Sequence, residues 1–234
     1  MERIKGKFFA VSVGPGDPEL ITLKAVRILE KTSVLAVPVN PANGTTALDI
    51  AAKTVDIKEK EIVRLETAMS MKKDVLDAAH ARQLRQIIPY LDAGKDVAMP
   101  TLGDVSIYST SLYLLRILED MGYETEMISG VTSFCAAAAA LNTSLTKMDG
   151  QVHIIPASSA DLKGALSLEG TKILMKSGSK LPEVLEALEE LNMTERAMIA
   201  ADCGMENEQL YKDVRKIEEL PGYYTIIIVR DEEK

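Results

Sequence analysis

The stretch Met99–Thr110, MPTLGDVSIYST, decides how this chain is read. Val97–Pro100 is apolar enough for a buried strand and runs into Gly103-Asp104. A helical pattern then begins at Ser106, with Ile107, Leu114 and Leu118 on its apolar face. A Gly-Asp turn between a strand and a helix is where α/β proteins place small-molecule ligands. Glycine at 103 allows close backbone approach or a positive φ. Asp104 has two readings, a cap for the following helix or a hold on a ligand's polar group, and the stretch alone leaves both open.

The same alternation extends in both directions. Lys7–Val13 reads as a buried strand ending in Gly14-Pro15-Gly16-Asp17-Pro18-Glu19, with Asp17 as N-cap, Pro18 at the first helical position, and Leu20, Leu23 and Val26 on one helix face to about Lys31. Further strands are expected at Ser33–Pro38, Glu61–Leu65, Lys95–Pro100, Tyr123–Ile128, Gln151–Pro156, Thr171–Met175, Ala197–Ala201 and Tyr223–Arg230. Helical patterns cover Thr45–Lys53, Lys72–Leu91 (with Pro89 kinking or ending its last turn), the alanine-rich segment through Ala140, Ser159–Leu168 and Leu181–Leu191. Glu206–Leu220 is ambiguous, a strand at Glu208–Lys212 and then a short helix being one solution. Strands alternating with helices imply a mostly parallel α/β architecture. No linker or composition break divides the chain, so the pattern alone sets a boundary near residues 120–124, giving domains 1–121 and 122–234.

Composition narrows the function. The 47% hydrophobic and 26% charged fractions are those of a globular protein. A net charge of −8, from 35 acidic against 27 basic residues, argues against a surface that neutralises phosphates, and an aromatic fraction of 4% without tryptophan offers few base-stacking platforms. Cys135 and Cys203 have no framework spacing, and His80 and His153 fit no metal-ligand pattern, so no metal site is expected. The N-terminal MERIKGKFF has no signal-peptide core and no apolar run is long enough to span a membrane, which points to the cytoplasm.

The glycine loop after the first strand invites a dinucleotide reading, but Glu19 stands where the third glycine of G-x-G-x-x-G belongs. Asp17 and Glu19 also place negative charge where a pyrophosphate would sit, and no Gly-Lys-Ser/Thr follows. A neutral or cationic ligand suits this loop better. Thr132 and Ser133, at the start of the alanine-rich helix, can donate hydroxyl hydrogen bonds.

Four segments in order, VSVGPGDPELITLKA (11–25), TLGDVSIYST (101–110), SGVTSFCA (129–136) and CGMENEQLY (203–211), resemble the tetrapyrrole methyltransferases of corrin and sirohaem synthesis. The resemblance covers nearly the whole chain. TLGDxSIYST and CGMENE point to the branch that methylates C20 of precorrin-2 or its cobalt complex. Val105 departs from the pattern, which usually has proline after Gly-Asp. The resemblance implies the tetrapyrrole methylase fold, two α/β domains with S-adenosylmethionine between them, a tetrapyrrole trough and a homodimer. The donor contacts it implies fall on Pro15, Leu102, Gly103, Asp104, Ile107, Thr132, Ser133, Met175 and Gly204. Such a substrate carries several carboxylates, and Arg64, Lys72, Lys73, Arg82, Lys147 and Lys176 are the basic residues available to it. Asp104 and Tyr108 lie near the implied site, but neither is singled out as the proton acceptor. The competing readings are another corrin-ring or sirohaem-pathway methyltransferase, the ribosomal RNA and diphthamide branches of the same fold, and a non-catalytic nucleotide-binding scaffold. The charge balance speaks against RNA, and the intact glycine turns speak against a decayed site.

Overall fold

The structure is a computed structural model that describes residues 5–39, 44–67, 72–217 and 222–231. It contains two α/β units, Met1–Thr132 and Ser133–Lys234. Among the described residues most strand pairs are parallel, and the antiparallel strand pairs lie in the second unit.

In the first unit, β1 (Phe8–Ser12), β2 (Val34–Val39), β3 (Glu61–Glu66), β4 (Val97–Thr101) and β5 (Thr125–Ile128) form an all-parallel sheet in the order β3-β2-β4-β1-β5. The inner strands FFAVS and VAMPT are apolar almost throughout because both of their faces are covered. At the sheet edge, β3 alternates instead, with Val63 and Leu65 buried and Glu61, Arg64 and Glu66 exposed. The connecting helices are α1 (Leu23–Lys31), α2 (Thr46–Ala51), α3 (Lys73–Asp92) and α4 (Ser111–Asp120). Right-handed crossovers put α1 and α2 on one face of the sheet and α3 and α4 on the other, since the first two connections move in one direction along the sheet and the next two return. Leu84, Ile87 and Leu91 of α3 and Leu114, Leu115 and Leu118 of α4 pack on Phe8, Ala10, Val34, Ala36 and Met99.

In the second unit, β6 (Val152–Pro156), β7 (Thr171–Met175), β8 (Ala197–Ala201), β9 (Gln209–Tyr211) and β10 (Thr225–Val229) make a sheet in the order β6-β7-β10-β8-β9. β6 and β7 are parallel, and β10 runs antiparallel between β7 and β8. β7 and β8 therefore point the same way, and their carboxyl ends share one edge with Thr225, the start of β10. Helix α5 (Ser133–Ala140) packs on β8 and β10 through an alanine face, with Ala136, Ala137 and Ala138 buried. Helices α6 (Leu162–Leu166) and α7 (Leu181–Glu190) supply Leu166, Leu181, Val184 and Leu188 to a core with Leu174, Ile199, Ile227 and Val229.

Four sequence expectations change. The first unit ends at Thr132 rather than at 121, because β5 hydrogen-bonds to β1 and so belongs to the first sheet. Helix α4 starts at Ser111 rather than Ser106, because the Asp104 carboxylate turns the chain at Ser106 and Tyr108 takes φ +52°. Asp17 caps a short turn at Pro18–Leu20, while Thr22 caps α1, whose buried residues are Ala25 and Leu29; Leu23 is exposed. Pro89 neither ends nor breaks α3, which continues to Asp92.

Candidate functional site

The loops after β1 and β4 stand side by side, since those strands are neighbours, yet their connections lead in opposite directions along the sheet. Such a reversal is where open α/β sheets hold ligands, outside the carboxyl ends of the strands. The two loops are joined directly: the Gly103 N–H donates to the Gly14 carbonyl at 2.7 Å. Both glycines have positive φ, +78° at Gly14 and +72° at Gly103, a conformation that side chains resist. Buried Pro15 follows this bridge, and Leu102 and Ile107 are half-buried around it. In the first loop the Glu19 N–H is already taken by the Asp17 carboxylate at 2.8 Å, so that amide is closed to an anion.

Asp104 is the clamp of this region. One carboxylate oxygen accepts from the Ser106 N–H at 2.9 Å and from the Ser106 hydroxyl; the other accepts from the Gly130 N–H at 2.7 Å and the Ser129 hydroxyl at 3.0 Å. Burial opposes ionisation of this carboxyl, but the four donors outweigh it and hold its pKa below the usual carboxylate value. Of the two roles open to Asp104, the geometry shows neither a cap on α4 nor a side chain pointing free at a ligand. It ties the loop after β4 to the end of β5. The buried Ser12 hydroxyl reinforces the tie by accepting the Val105 N–H at 3.0 Å, a donor that a proline would lack. Ser12, Ser129 and Gly130 escaped sequence reasoning in this role; a serine inside an apolar strand was the one available signal.

Thr132 closes the first unit, and its hydroxyl is buried with no hydrogen-bond partner among the described residues. A buried donor of this kind calls for an acceptor. In the second unit, Met175 ends β7 and Gly204 follows β8, so both lie at the shared carboxyl edge; Ser133 opens α5, which packs on β8 and β10. Beside Met175 the Ser177 hydroxyl is a second buried group without a partner among the described residues, in a residue that is wholly inaccessible. Turns approach closely here: a Cβ on Gly178 would lie 2.6 Å from the Gly222 carbonyl oxygen. Asp202 steps off β8 with φ +47°, and burial raises its carboxyl pKa.

The basic residues are spread out. Arg64 is exposed on β3, Lys72 immediately precedes α3, and Lys73 and Arg82 lie along it. Lys176 follows β7 directly, whereas Lys147 belongs to the opposite edge of the second sheet. There it lines a recess of about 540 Å³ with Gly150, Thr171 and Arg230. At about 3.3 Å per residue, the length of β7 puts that recess more than 10 Å from Met175. Among the described residues no three His, Cys, Asp or Glu side chains cluster to hold a metal, and no helix is long and apolar enough to cross a membrane.

Comparison with known proteins agrees with this fold. A relative from Methanocaldococcus jannaschii, described as a probable cobalt-precorrin-2 C(20)-methyltransferase, is 34% identical over 76% of this chain and 75% of its own length. The cobalt-precorrin-2 C(20)-methyltransferase of Salmonella typhimurium is 28% identical over 96% of this chain and 97% of its own. Among solved structures, uroporphyrin-III C-methyl transferase of Thermus thermophilus, complexed with S-adenyl homocysteine, superposes with a TM-score of 0.70 at 20% identity, covering 95% of this chain and 97% of that one. The profile of the Tetrapyrrole (Corrin/Porphyrin) Methylases matches residues 7–220. A match that begins ahead of the first strand and takes in the whole first sheet and β6 to β9 of the second assigns the chain to that family: it is a tetrapyrrole methylase.

Proposed function

We propose that this chain transfers the methyl group of S-adenosylmethionine to C20 of precorrin-2 or cobalt-precorrin-2, a carbon methylation in cobalamin biosynthesis. The observation that carries the reading is the 28% identity to a cobalt-precorrin-2 C(20)-methyltransferase along 96% of this chain and 97% of that one.

Pro15, Leu102, Gly103, Asp104, Ile107 and Thr132 in the first unit, with Ser133, Met175 and Gly204 in the second, are the residues assigned to the donor. When bound, S-adenosylmethionine supplies an electrophilic methyl group on a positively charged sulfur. The chain's own task is alignment and exclusion of water, the kind of positioning that contributes most to a reaction between two good partners. Gly14 and Gly103 let backbone approach the donor, and Asp104 fixes their loop. Asp17 and Glu19 surround the first loop with negative charge, which favours a cation there. Arg64, Lys72, Lys73, Arg82 and Lys176 are assigned to the substrate carboxylates; Lys147 is the weakest of the original six because of its place at the far edge. A homodimer is the assembly expected of such a protein.

The test is incubation of the purified chain with S-adenosylmethionine and precorrin-2, metal-free and cobalt-loaded, followed by mass spectrometry. The expected product carries one added methyl group from at least one of the two substrates. No mass gain from either would refute the reading.

A further inference from the structure

The recess at the far edge of the second sheet has no part in methyl transfer as described above. β7 begins there at Thr171 and the antiparallel β10 ends there, which brings Arg230 beside Thr171. The Asp231 N–H donates to the Thr171 hydroxyl at 3.4 Å. The loop 143–150, which leads from α5 to β6, supplies the other wall. Its own hydroxyls hold it: Ser144 donates to the Thr146 carbonyl at 2.6 Å and Thr146 to the Gly150 carbonyl at 2.7 Å. A volume of about 540 Å³ falls in the range of small-molecule pockets.

The lining carries unmatched charge of both signs. Arg230 contributes a guanidinium whose Nε is buried without a hydrogen-bond partner among the described residues. A buried charged donor calls for an acceptor, because leaving the bond unmade costs the full desolvation of the group. Lys147 lines the same recess, and neither cation forms an ion pair among the described residues. Three acids line it as well. Glu169 and Asp231 have interactions of their own, whereas the Asp149 carboxylate has none among the described residues. The open charges are therefore two positive and one negative. Leu145 is the one apolar side chain in the lining, so the recess suits a hydrophilic guest rather than a macrocycle.

We infer that this recess is a second binding site, for a free acidic α-amino acid such as glutamate. That molecule carries two carboxylates and one ammonium, the complement of the open charges. The Arg230 guanidinium matches one carboxylate in its planar geometry, Lys147 meets the other, and Asp149 takes the ammonium. A phosphate dianion satisfies the two cations but sets like charge against Asp149. All of these residues belong to the second unit and to the edge opposite Met175, so the site works independently of methyl transfer. Lys147 then serves this guest and not the tetrapyrrole.

The experiment is calorimetry on the full chain with L-glutamate, L-glutamine, N-acetyl-L-glutamate and inorganic phosphate. L-Glutamate is expected to bind saturably. L-Glutamine, which lacks the second carboxylate, and N-acetyl-L-glutamate, which lacks the ammonium, should each bind about tenfold more weakly or worse, the size of one charge-assisted hydrogen bond. Arg230→Gln, Lys147→Gln and Asp149→Asn should each cost glutamate about tenfold or more on the same grounds. Lys31→Gln removes an exposed cation from the last turn of α1 and should change the affinity by no more than about twofold. Lys147 and Asp149 are exposed, so their variants test the site even where Arg230→Gln fails to fold. Saturating S-adenosylmethionine should leave glutamate binding unchanged. A wild type without saturable glutamate binding overturns the inference, as does binding that Lys147→Gln and Asp149→Asn leave intact. Phosphate binding more tightly than glutamate, or glutamate displaced by S-adenosylmethionine, overturns it too, the first marking a general anion site and the second the donor site.

Discussion

The Asp104 side chain has no spare capacity as a ligand or base, because both of its oxygens are occupied by the loops it holds, which leaves its backbone for the donor. Replacement by asparagine would point an amide donor at the donors of Gly130 or Ser106. Asp104→Asn should therefore cost about 1–3 kcal/mol, the penalty of a buried unsatisfied group, read as a lower denaturation midpoint at unchanged m-value. The pH dependence follows from the lowered pKa of the carboxyl. A group whose folded pKa is depressed contributes its full stability above the unfolded value and loses it as pH falls through the folded one. The stability gap between wild type and Asp104→Asn should accordingly be widest at neutral pH and shrink below about pH 4, the ordinary carboxylate range. A gap that stayed constant down to pH 2 would show that the ionised carboxylate is not what the fold uses.

The first unit's site is a meeting of three loops, those after β1, β4 and β5, and Gly130 is the point of contact. A Cβ there would lie 2.4 Å from the Ser12 Cβ and 3.0 Å from the Gly103 carbonyl oxygen. Gly130→Ala must push the loops apart. The expected result is a loss of about 1–3 kcal/mol in stability and weaker S-adenosylmethionine binding by calorimetry. Unchanged affinity would place the donor elsewhere. The strands at this site were legible because buried parallel strands are apolar runs: Thr171–Met175 and Ala197–Ala201 are found where the pattern puts them. The start of α4 was not legible. Ile107, Leu114 and Leu118 keep a helical period, and only the competing hydrogen bonds of Asp104 and the backbone at Tyr108 delay the helix to Ser111. The partner of β5 escaped for a different reason: a strand's sequence shows its burial, but pairing with β1 is a property of the crossover path. Most site positions were named by resemblance, while the clamp through Ser12, Ser129 and Gly130 needed coordinates.

The whole molecule is a tetrapyrrole methylase with a net charge of −8, so an anionic acceptor requires locally placed cations. Acceptor affinity should therefore fall as salt is raised, while donor affinity changes little. Ligand linkage separates a methyltransferase from a phosphate-binding scaffold. S-adenosylmethionine at a hundred times its Kd should stabilise the fold by about 2.7 kcal/mol, visible as a higher Tm, whereas dinucleotides at the same concentration should not. The most direct measurement is transfer of a 13C-methyl group from labelled S-adenosylmethionine to precorrin-2 or its cobalt complex, with the product read by NMR. The account predicts a single labelled methyl, attached to C20. A label on any other ring carbon, or none, would contradict it.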